Sequence, residues 1–146
     1  MLDRPKAVEL PWFTGKSAWD AYKALDVACV YAVGPSAGRP VMFGWTQRPL
    51  SRFESYAEGY WDDLVLHEIT WAPDKALAKR LVDEMRRLMH LKNRGLRDRW
   101  FDVTSDFVLP LFQVAGDNLK IPTFTHDALI ERVAEMAERK VRAKMG

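Results

Sequence analysis

VACVYAVGPSAGRPVMFGWT, residues 27–46, holds two short runs of β-branched, small and aromatic side chains around one dense turn. Val27 to Gly34 has no helical period and reads as a buried strand. Pro35 to Pro40 gathers proline, serine and glycine, the residues that set turn dihedrals. Val41 to Thr46 is a second strand, so the stretch folds into an antiparallel hairpin.

The elements on either side follow from local signals. Pro49 suits the first turn of a helix to about residue 57, Gly59 ends it, and residues 64–71 form a third strand. Pro73 and Asp74 open the longest helix, to about Lys92, with Leu77, Leu81, Met85, Leu88 and Met89 in helical period. Arg99 to Val103 is extended, and Thr104 or Ser105 caps a helix to about residue 115 that Pro110 kinks or shortens. After a loop over residues 116–124, Thr125 caps a terminal helix that turns Leu129, Val133, Met136 and Val141 inward. Upstream, Ser17 caps a short helix to about Leu25, and Trp12, Phe13 and Trp19 form a lid on the core.

The order β-β-α-β-α-α-α predicts an α/β (α+β) fold. Its expected core is a small three-stranded sheet, β-β-α-β-α, covered by helices and extended by further C-terminal helices. Residues 1–26 are the lid, residues 27–116 the central domain, and residues 117–146 a loop and amphipathic helix packed on that domain. No repeat or linker interrupts the chain.

Composition narrows the class. The 146 residues are 48% hydrophobic and 29% charged, ordinary for one globular domain. The single cysteine, Cys29, excludes an internal disulfide and a cysteine-rich zinc site. No apolar run approaches a membrane span, so the expectation is a soluble, cytoplasmic protein. Net charge is only +2, but cations cluster from Lys79 to Arg99 and again from Arg139 to Lys144. Such clusters suit phosphate contacts or a solvated face. His67, His90 and His126 lack zinc spacing, and His67 reads as a hydrogen-bonded core histidine.

Cys29-Val30-Tyr31 and Met42-Phe43-Gly44 stand where GIY-YIG nucleases carry their two strand tripeptides, and the run GWTQRPLSRFESYA places Arg52 and Tyr56 as that family places an arginine and an aromatic. Glu84, centred on the stripe of Leu77, Leu81 and Leu88, stands in for the family's helix glutamate. GLRDRWF, ending in Trp100-Phe101, resembles the GEWF-like element of the phage-type branch. The resemblance covers Val27 to about Ala115 and implies a phage or bacterial hydrolase acting on nucleic acid, DNA above all. It also implies one divalent ion, Mg²⁺ or Mn²⁺, anchored by Glu84. Arg52 would hold a phosphate oxygen and Tyr31 would help deprotonate the attacking water. Arg48, Tyr56, Arg87, Lys92 and Arg94 are the expected substrate contacts. Met42 departs from the family's second tyrosine, Cys29 from its first-motif glycine, and Leu88 from a histidine one turn after the glutamate.

Each residue also has a structural reading. Tyr31 and Tyr56 can be packing residues, Arg52 can pair with Glu54 or Glu58, and Glu84 with Arg80 or Arg87. Met42 and Leu88 then favour a module that binds nucleic acid without cutting. A third reading is a protein-interaction module built on the aromatic N-terminal segment, or a homodimer through the C-terminal helix.

Overall fold

The structure, a computed structural model, describes residues 11–59 and 64–145. The first ten residues of the expected lid lie outside the described residues. β1 (Ala28–Pro35) is the central strand, antiparallel to β2 (Val41–Thr46) on one side and to β3 (Leu64–Ala72) on the other. That position explains why its residues are buried on both faces and why the segment reads as continuously apolar.

Among the described residues the sheet has four strands, in the order β3-β1-β2-β4, and not the expected three. The extra strand, β4 (Trp100–Phe101), pairs with Met42 and Val41 at the start of β2. It is only two residues long because a 3-10 turn occupies Arg97–Arg99 and ends with Arg99 at φ 73°. The mixed α/β class fits.

Alternation along β1 feeds two cores. Ala28, Val30 and Ala32 pack with α3 (Lys75–Leu91) and α4 (Val108–Leu119). Cys29, Tyr31 and Val33 face α1 (Lys16–Ala24), Phe53 of α2 (Pro49–Gly59), and Leu129 and Val133 of α5 (His126–Met145). The sheet therefore lies between two helical layers.

Local chemistry sets the helix ends. Asp74 caps α3 by accepting from the Leu77 amide at 2.8 Å, and Thr125 caps α5 by accepting from Ala128 at 3.1 Å. α1 begins one residue before Ser17, with Gly15 at its N-cap in the left-handed region, φ 88°. Pro110 does not shorten α4. A 3-10 turn over Ser105–Phe107 moves the helix start to Val108, so Pro110 falls in the first turn, where its missing N–H has no partner to lose. The helix then continues to Leu119, and the expected loop shrinks to the residues before Thr125.

The described aromatics of the N-terminal segment do pack on the second core: Phe13 is buried, with Trp12 and Trp19 beside it. On α5 the inward set ends early, because Val141 is 44% exposed. His67 is buried, with Nε2 against the Pro35 carbonyl at 3.0 Å. Among the described residues no helix is long and apolar enough to cross a membrane.

Candidate functional site

Beyond Met42 no described strand pairs with the outer edge of β2. That open edge, from Phe43 to Trp45, borders a pocket of about 270 Å³ where side chains from both helical layers meet.

Tyr31 enters from the centre of the sheet. Its neighbour across the register is Gly44, and the missing side chain leaves the space that the phenol occupies. The ring of Phe53 stands edge-on to Tyr31 at 5.1 Å. From the same helix come Arg52 and Tyr56, four residues apart, the spacing that puts two α2 residues on one face. The Tyr31 and Tyr56 hydroxyls lie 2.6 Å apart. Burial works to lower the pKa of Arg52, and the neighbouring Tyr56 and Tyr31 phenols outweigh it and raise it overall.

Around the edge of the sheet, α3 supplies Lys79, Asp83 and Arg86, and the turn before β4 supplies Arg99. Arg86 donates Nη2 to the Phe43 carbonyl at 2.9 Å, an acceptor that strand pairing leaves unused. Its Nε is buried without a hydrogen-bond partner. Burial, and then the charge of Arg99, pull its pKa down. Among the described residues the pocket thus gathers four cations, Arg52, Lys79, Arg86 and Arg99, against one carboxylate, Asp83.

The Tyr31 phenol is pushed well above its ordinary pKa, by burial first and then by its bond to Tyr56, with Arg52 opposing. Near neutrality it is protonated and offers a hydroxyl donor in place of a base.

The structure brings Tyr31, Arg52 and Tyr56 together, as the resemblance implied, and sets Glu84 apart. Glu84 is buried on α3, but its carboxylate accepts from Arg87 Nε at 2.6 Å, from Arg87 Nη2 at 2.8 Å and from Asn118 of α4 at 3.0 Å. The Arg87 bonds hold its pKa down at about 2, against the cost of burial and with help from Asn118. Both oxygens are engaged and the side chain does not line the pocket, so Glu84 does not fit the expected metal anchor. Among the described residues no group of three or more His, Cys, Asp or Glu could hold a metal ion.

The other expected contacts scatter. Arg87 is committed to Glu84. Arg48 lines a different, open pocket beside Trp19 and Tyr22. Lys92 and Arg94 line a third, near Arg39. The alternative pairing of Arg52 with Glu58 falls on a side chain outside the described residues.

Lys79, Arg86 and Arg99 belong to the basic cluster that suits phosphate contacts, but they are not among the expected site residues, nor is Asp83. A further signal is the spacing of Lys79, Asp83 and Arg86, four and three residues apart on one helix face. Nothing local tells that face from a solvated one.

Comparison of the chain with family models, with curated proteins and with solved structures returned no match.

Proposed function

We propose that this protein is a GIY-YIG-like domain that binds nucleic acid through its phosphates, at the open edge of β2, without cutting the strand. The observation that carries this reading is the pocket itself: four cations and two tyrosines surround a single carboxylate. Guanidinium and ammonium groups beside phenol hydroxyls favour an oxyanion such as a phosphodiester. The same cations disfavour a divalent ion.

The pattern of the resembling family supports the same reading. Glu84, which stands in for its helix glutamate, is bonded to Arg87 and Asn118, and Leu88 replaces the histidine one turn later.

Fluorescence anisotropy with labelled single-stranded and duplex DNA and RNA tests this. The logarithm of affinity is expected to fall linearly with the logarithm of salt concentration, through counterion release. Arg52→Ala is expected to weaken binding on every sequence alike. Affinity flat in salt, or no binding at low salt, overturns the reading.

One observation favours hydrolysis as a second reading: Asp83 lines the same pocket as Tyr31 and Arg52. Nicking of supercoiled plasmid that disappears in Asp83→Ala but persists in Glu84→Ala would put hydrolysis first.

A further inference from the structure

The basic residues of α3 do not end at the edge pocket. The helix turns by ~100° per residue, so Lys92, its C-cap, stands on a different side from Lys79. Met89 and Lys92 line a second pocket, of about 240 Å³, together with Arg39, Arg94, Asp102 and Phe107. β4 separates the two pockets: Arg99, before it, faces the first, and Asp102, after it, faces the second.

The second pocket is also cationic. Asp102 is held by Arg39 through a 2.5 Å bond from Nε, which uses one positive charge and fixes the hairpin turn against the chain after β4. Lys92 and Arg94 remain. The Lys92 ammonium lies 5.9 Å from the ring centre of Phe107, which is 40% exposed and forms an apolar wall. A cationic pair beside an exposed aromatic ring suits a phosphate with its attached sugar and base.

We infer that this pocket is a second phosphate subsite for the same nucleic-acid strand, so that the strand crosses β4 and is gripped on both sides of it. The inference rests on the phosphate-binding reading of the edge pocket. Lys79 and Lys92 lie about 20 Å apart along the helix axis, at about 1.5 Å per residue. That distance matches roughly six steps of a stacked strand, at about 3.4 Å each. A very short oligonucleotide reaches one pocket only, and a longer one reaches both.

The test is anisotropy with labelled single strands of about three and about ten nucleotides, within the range of known single-strand sites. The proteins are the wild type, the double variant Lys92→Ala/Arg94→Ala, and Arg52→Ala. Lys92 and Arg94 are exposed, so the double variant is expected to fold, and circular dichroism checks it. The double variant is expected to lose about tenfold in affinity for the longer strand and none for the shorter, while its salt slope falls by roughly 1.5 in magnitude. Arg52→Ala is expected to weaken both lengths. Wild-type affinity and slope on the longer strand in the double variant, with Arg52→Ala still weak, overturn the second subsite and leave the edge pocket standing. No binding of either length by the wild type overturns the edge pocket, and the second subsite with it.

Discussion

Tyr31 and Gly44 face one another across β1 and β2, and a Cβ on Gly44 would press into the phenol of Tyr31. The ring has no room to retreat, because Phe53 packs on its side and Tyr56 holds its hydroxyl. Gly44→Ala is therefore expected to push Tyr31 off its site and to destabilise the protein by ~1–3 kcal/mol, the usual cost of overpacking. A thermal melt reads the stability, and anisotropy reads the accompanying loss of nucleic-acid affinity. Glu84 supports a prediction in pH. Its pKa is about 2 in the folded protein, held there by Arg87, whereas an unfolded glutamate titrates near ~4.3. Between those values the unfolded chain binds more protons than the folded one, so stability falls as pH falls. The contribution is complete above the unfolded value and is lost on the way down to the folded one. Glu84→Gln is expected to flatten that part of the acid limb, measured by denaturant titration from pH 5 to about 2. Arg87 is half exposed, so salt should shrink the difference between the two proteins. The helical period alone put Glu84 on the apolar face. It could not reveal Asn118, 34 residues away on another helix, which completes the carboxylate's bonds.

Arg99 carries the clearest tension between stability and binding at the level of an element. It ends the 3-10 turn before β4 with φ 73°, a conformation that an L residue other than glycine, asparagine or aspartate seldom adopts. The same residue lines the edge pocket. Replacing it by glycine removes the steric cost at that angle and also removes a cation. Arg99→Gly is expected to leave stability unchanged or raised by up to ~1 kcal/mol while weakening nucleic-acid binding severalfold. A thermal melt and a salt titration on one preparation check both halves, and a loss of stability would mean that the side chain is needed for folding. The elements differ in how far sequence reveals them. β1, β2, β3 and α3 have strong local signals, whether β-branched runs, dense turns or an acidic cap, and they form close to their expected limits. β4 has two residues and exists only because the edge of β2 is there to pair with. α4 defeated its proline signal because a 3-10 turn set the start of the helix.

Two helical layers on one sheet leave the molecule with an open edge on one side and a structural clasp on the other. At the edge, residues of α2 and α3 belong to opposite cores and meet only because no described strand covers β2 beyond Met42. That meeting is a property of the whole fold, so sequence could place Tyr31, Arg52 and Tyr56, which share one layer, and could not place Arg86 beside them. At the clasp, Trp71 of β3 is fully buried and donates Nε1 to His126 Nδ1 on α5 at 3.2 Å. The proton of His126 is then on Nε2, which donates to the Pro11 carbonyl at 2.7 Å. One imidazole thus joins the sheet, the last helix and the N-terminal segment, three parts separated by 55 and 115 residues in the chain. His126→Phe keeps the ring stack on Trp71 but strands its buried N–H and the Pro11 carbonyl. The expected cost is ~1–3 kcal/mol, the desolvation penalty of buried polar groups left unpaired. Denaturant titration followed by tryptophan fluorescence measures it. His126 does not line the edge pocket, so affinity for nucleic acid should be unchanged wherever the variant remains folded. A variant of wild-type stability would show that the clasp is packing alone, whereas lost affinity in a folded variant would show that the two sides of the sheet are coupled.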